Sequence, residues 1–155
     1  MAYQFYLAIK GKKEGQFKGD AARPPEGNWI VGLGFSYEIM SPRDPATGQA
    51  SGKRQHQPLT IIGPWGASNS QIYQALVTNE DLESVDLEFV RTDKEGKEYI
   101  FYTIKLTDAT ISDFRQYIDT AAAQPQPLEG VSFTFRRIEE ESKDGKTSVI
   151  DDWQA

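Results

Sequence analysis

A chain of 155 residues with 17 Lys and Arg against 23 Asp and Glu, net charge −6, suits one domain and excludes nonspecific attraction to nucleic acid or anionic lipid. It has no cysteine and one histidine, His56, which excludes disulfides, thiolate chemistry and cysteine-based or multi-histidine metal centres. No run approaches the roughly 18 apolar residues of a membrane span, and the opening MAYQFYLAIKGKK alternates before it turns basic, the wrong order for a secretory signal.

Phe5, Leu7 and Ile9 alternate with Tyr6, Ala8 and Lys10 and predict a strand with one buried face. Lys10 to Gly27 is rich in glycine, lysine and proline and reads as a loop. Trp29, Val31, Leu33 and Phe35 resume the alternation, continued by Tyr37 and Ile39. Gly32 and Gly34 fall on the opposite face, where glycine marks a bulge or a close backbone approach. Ser41 to Gly52, SPRDPATGQASG, has two prolines, two glycines and no apolar period. It is expected as an extended surface loop within one domain, since neither flank has strands enough to close its own core.

Leu59 to Ile62 predicts a short strand stopped by Gly63-Pro64. Ser68 and Gln71 have capping-box spacing ahead of a helix whose apolar face is expected from Ile72, Tyr73, Leu76 and Val77. Asn79 to Ser84 reads as an acidic connection, and Val85, Leu87 and Phe89 as a half-exposed strand. Thr92 to Gly96 carries a hairpin-turn signal. Tyr99 to Thr110 is the longest strand candidate, with Ile100, Tyr102, Ile104 and Leu106 on one face. Thr110 to Tyr117 either extends it or bends back, because Ile111 and Phe114 fit neither period. Ala121 to Pro127 is expected as loop. Val131, Phe133 and Phe135 predict a further strand, and Asp144-Gly145 a hairpin returning through Val149 and Ile150 to Trp153. Regular short strands with turn signals and one helix indicate an antiparallel barrel or sandwich over residues 1–155.

No catalytic constellation emerges. His56 is the one candidate imidazole base, but no G-x-S-x-G elbow accompanies it, so it is expected to orient the loop-to-strand junction beside an acidic neighbour. The acidic runs Glu80-Asp81-Glu83, Asp86-Glu88 and Glu139-Glu140-Glu141 read as solvated edges that discourage sheet aggregation rather than a glycosidase pair. Asp93 to Gly96 lacks calcium-loop spacing, and Lys53-Arg54 is too short a basic cluster for nucleic acid. Trp29, Trp65 and Trp153 leave open a carbohydrate- or ligand-binding β module.

The segments GKRQHQPLTI (52–61), Ala67-Ser68, QIYQAL (71–76), LEFVR (87–91), YTIKLTDA (102–109), RQY (115–117), PLE (127–129), VSFTF (131–135) and Asp152-Trp153 occur in the order seen in the Hcp family. With YLAIKG (6–11) included, the chain resembles these haemolysin-coregulated proteins of bacterial type VI secretion over nearly its whole length. The resemblance implies a mainly β fold, a compact antiparallel barrel with one flanking helix and an extended loop. It also implies hexameric rings stacking into a secreted tube whose lumen carries small effectors, with no catalysis, cofactor or metal. The implied partners are further copies of the chain, a VgrG-type spike and sheath proteins. The implied route runs from the cytoplasm outward through the machine, without membrane insertion. By loop position and charge, Arg43, Asp44, Lys53, Arg54 and His56 are the candidate self-assembly residues.

Overall fold

The protein is described by a computed structural model over residues 4–21, 29–118 and 125–152. Its elements are β1 (Gln4–Gly11), β2 (Gly15–Gln16), β3 (Ile30–Gly32), β4 (Gly34–Ser36), β5 (Ile39–Met40), β6 (Gln55–His56), β7 (Leu59–Pro64), α1 (Asn69–Val77), β8 (Leu82–Thr92), β9 (Glu98–Ile118), β10 (Pro127–Ser142) and β11 (Thr147–Asp152). The main sheet runs β2-β1-β8-β9-β10-β7-β4, with β3 also on β1 and β11 on β10. Its pairings are antiparallel.

The two flanks of this series meet through one segment. β3 pairs with β1 and β4 with β7, and the two strands are separated by Leu33 alone. The Leu33 amide donates to the Ile62 carbonyl at 2.7 Å. The sheet thus turns back toward itself as expected for the barrel, although no unbroken ladder closes it. Leu7, Ile9, Leu59, Leu87, Leu106 and Phe133 are fully buried inside.

Several local expectations need correction. Part of the 29–35 face is inverted, because Ile30 and Gly32 point into the core while Leu33 is 54% exposed, although Trp29 is buried. Gly32 lies against the Phe5 ring, so close approach is the reason for glycine there. The kink at Leu33 then re-aims Phe35, which meets Phe5 and Phe89 edge-on. Nor is Lys10 to Gly27 all loop: β2 folds back on β1 and delivers Phe17, fully buried, into the core. Residues 22–28 lie outside the described residues.

The capping box does not form. Ser68 stands at the N-cap with helical backbone angles and makes no capping bond, and it is buried. The Gln71 side-chain oxygen instead accepts the Lys18 amide at 2.7 Å, while Asn69 accepts the Gly66 amide at 2.8 Å. The helix buries Ile72 and Ala75, with Leu76 partly buried, and packs on β9; Tyr73 and Val77 face out. The small Ala75 lets the helix approach the sheet along that stripe.

β9 continues to Ile118 rather than bending back, and its irregular period has two causes. Across one row of the sheet the buried face changes phase in three strands together, from Val85 to Leu82, from Leu106 to Ala109 and from Ile138 to Phe135. Asp108, at φ 51°, marks the switch and accepts from Arg136 at 2.9 Å. Farther on, Ser112 has no opposite residue in the β10 register and its hydroxyl donates to the Ser132 carbonyl at 3.3 Å, a bulge that returns Phe114 to the core side.

Candidate functional site

Ser41 to Gly52 is the tip of a built arm. β5 and β6 form a two-stranded sheet apart from the main one, pairing Ile39 with His56 and Met40 with Gln55. A further bridge joins Arg43 and Ala50. Asp44 makes the turn: its carboxylate accepts the Ala46 amide at 2.8 Å, and its carbonyl accepts the Gly48 amide at 2.8 Å. Gly48, at φ 74°, supplies the left-handed position the turn requires. Prolines that resist a continuous ladder and short side chains that bond their own backbone make this a shaped hairpin without apolar packing. Arg43 and Lys53 are exposed upon it.

The base of the arm is chemically denser. His56, with a side chain only 3% exposed, has Nδ1 at 2.6 Å from the Tyr37 hydroxyl and Nε2 at 2.9 Å from Asp151 Oδ2. An ionised carboxylate only accepts, so Nε2 carries hydrogen, and in the neutral ring Nδ1 accepts from Tyr37. Arg54 adds a two-pronged contact to the same carboxylate, Nε to Oδ2 at 2.7 Å and a terminal nitrogen to Oδ1 at 2.5 Å. The Tyr37 and His56 rings lie nearly parallel, and both meet Phe135 edge-on.

The charges are settled by these neighbours. The Arg54 guanidinium, with His56 contributing, holds the Asp151 carboxyl below its usual range. Burial first, then the negative charges of Glu140 and Asp151, push Tyr37 up to about 12, which keeps its hydroxyl a donor. Nothing here activates a nucleophile: the tyrosine is harder to ionise than usual, and the acid is saturated by a cation. The cluster is a joint.

Of the five sequence candidates, Arg54 and His56 therefore converge on one carboxylate, whereas Arg43 and Asp44 sit in the tip and Lys53 along the exposed arm. The sequence reading missed Tyr37, Phe135 and Asp151 as parts of the joint. Tyr37 carried only an alternation signal, and Asp151 lies 95 positions from His56.

Other candidates resolve into structure. Glu80 is buried and accepts the Lys13 and Glu14 amides at 3.1 and 2.9 Å, pinning the β1–β2 turn rather than lying on a solvated edge. Trp29 is buried, and Trp65 donates its indole N–H to the Leu128 carbonyl at 2.7 Å; Trp153 lies outside the described residues. Among the described residues no group of three or more His, Cys, Asp or Glu is placed to hold a metal ion. Among them, too, no helix is long and apolar enough to cross a membrane. Exposed apolar side chains lie at the arm base and on β11, at Leu33, Ile39, Met40, Val149 and Ile150, and also at Trp65, at Ile118 and on α1 at Tyr73 and Val77.

A β-barrel with one packed helix and a projecting hairpin arm defines the class of protein. The family model for the type VI secretion system effector Hcp matches residues 6–141. The chain is 31% identical to the major exported protein of Pseudomonas aeruginosa, over 100% of this chain and 98% of that one. A solved Hcp protein superposes with a TM-score of 0.89 at 27% identity, covering 98% of this chain and 100% of its own. The secreted protein Hcp3 from Pseudomonas aeruginosa superposes with a TM-score of 0.80 at 26% identity, covering 99% and 100%. The chain belongs to the Hcp family of type VI secretion proteins.

Proposed function

We propose that this chain is a structural subunit of the type VI secretion tube, acting by assembly rather than catalysis. Six copies close a ring, rings stack, and the tube is expelled from the cell with small effectors in its lumen. A VgrG-type spike and a contractile sheath are its expected partners. The observation that carries this reading is the arm, a hairpin shaped by its own backbone bonds yet resting on no core of its own. A protomer that projects such an element offers one patch to a neighbouring ring, and the exposed apolar residues of β11 offer a separate one, so stacking and ring closure use different surfaces. The exported relative from Pseudomonas aeruginosa supports the outward route.

On this reading Arg43, Asp44 and Lys53 meet a neighbouring ring, and Arg54 and His56 hold the arm that presents them. A carbohydrate-binding module has less to rest on, since Trp29 is buried, which leaves Trp65 as the one exposed tryptophan among the described residues. Light scattering followed by electron microscopy tests the proposal. Rings of about six protomers are expected from the family resemblance together with closed cyclic symmetry, and a strict monomer at high concentration overturns it.

A further inference from the structure

The hydrogen bonds within the arm fix its shape but leave its direction open. The β5–β6 ladder and the Arg43–Ala50 bridge are internal to it. At its root, Glu38 and Gln57 are joined by one backbone bond of 2.9 Å, and just inside it Ser36 pairs with Thr60, so the hairpin grows out of the β4–β7 ladder through a short neck. The fine angle at that neck is left to side chains that cross to the body, and among the described residues the charged ones Arg54 and His56 converge on a single carboxylate. Asp151 receives Arg54 through two nitrogens and His56 through a third, while Tyr37 and His56 brace against Phe135 of β10.

We propose that Asp151 is the positioning residue that sets the angle at which the arm leaves the barrel, so that β11 governs how the arm meets another copy of the chain. Leverage makes the angle matter. The seven residues from Glu38 to Asp44 reach about 20 Å at strand rise, so a swing of roughly 10° at the root displaces the tip by about 3–4 Å. That displacement is enough to break the register of a packed contact. β11 is the outermost strand on β10, with one ladder and two exposed apolar residues. A partner that seats on β11 therefore acts on the arm through Asp151. The proposal rests on the tube reading for its consequence in stacking, and on the joint alone for the angle.

The absence of cysteine allows clean labelling. Nitroxides at Gln49→Cys on the arm and Ser70→Cys on α1, diluted with unlabelled chain in unstacked particles, report the arm-to-body distance by double electron–electron resonance. The expected result is one narrow distance peak in the otherwise unaltered chain and loss of that peak in Asp151→Asn and in Arg54→Gln. Asp144→Asn, which removes an exposed ion pair with Arg91 on the same hairpin, should keep it. Electron microscopy should then show Asp151→Asn forming rings without tubes. A peak in Asp151→Asn as narrow as in Asp144→Asn overturns the proposal. Unaltered chains that never form tubes, with the peak still lost in Asp151→Asn, overturn the stacking reading and leave the angle assignment standing. Should Asp151→Asn not fold, Arg54→Gln, which keeps the carboxylate and removes its two-pronged partner, poses the same question; an unchanged peak there overturns the proposal too.

Discussion

Glu129 on β10 is fully buried, and neither carboxyl oxygen has a hydrogen-bond partner among the described residues. Burial pushes its pKa from 4.5 up to about 7. The folded chain therefore holds this proton more tightly than the unfolded chain. The stability it contributes is complete below 4.5 and is lost as pH rises toward 7, by roughly 3 kcal/mol as an upper figure. Urea titrations at fixed protomer concentration should show the midpoint falling between about pH 5 and about pH 8, and Glu129→Gln should flatten most of that slope. The residue left over comes from Glu14 and Asp86, both raised chiefly by burial. Asp151 works in the opposite sense: its depressed carboxyl stabilises above the usual carboxylate range and ceases to as pH falls through its folded pKa. Acid should loosen the arm joint while Glu129 is at its least costly.

At the scale of elements, Gly32 sets how closely β3 can lie on β1. A Cβ there would fall within the Phe5 ring, which cannot retreat because it stacks on Phe89 at 5.0 Å and meets Phe35 at 6.3 Å. Gly32→Ala should cost about 1–3 kcal/mol, as overpacking does, read from a denaturant midpoint; an unchanged midpoint would show that the two strands separate freely. The same contact explains why the sequence misled here. Trp29, Val31, Leu33 and Phe35 outweigh glycine on any hydrophobic count, yet the inward face belongs to Ile30 and a residue with no side chain. Stretches that keep one phase, β1 through Phe5, Leu7 and Ile9 and the first part of β10 through Val131, Phe133 and Phe135, were legible outright. β9 was legible only in part, because its phase is reset at Asp108 and again at Ser112 by neighbours that a single strand does not contain. The helix was legible as a helix; its cap was not, because Gln71 serves Lys18, 53 positions away.

At the scale of the whole molecule, the family and the barrel followed from ordered segments spread along the chain, while the joint at the arm root did not. Arg54 and His56 stood out locally by charge and by rarity, but the carboxylate that unites them is a matter of tertiary register, with β11 returning along β10 so that Asp151 pairs with Ile138. The arm itself makes the clearest assembly prediction. Replacing residues 42–51 with a two-residue turn should leave rings intact and abolish tubes in electron micrographs, and normal tubes would refute its role in stacking. Charge reversal at Arg43, Asp44 or Lys53 should weaken stacking by a smaller, salt-sensitive amount, since exposed ion pairs are screened.

The 97 positions between Arg54 and Asp151 also carry a kinetic meaning. Chains are made from the amino terminus and their contacts form in that vectorial order, with distant ones paid for late in lost loop entropy. The arm is synthesised well before the strand that secures it, so a nascent protomer spends that interval with its joint unmade. Only once β11 has zipped onto β10 does the arm take its final bearing. Under the proposed tube role, a chain whose β11 has not yet paired with β10 presents an arm without its Asp151 joint.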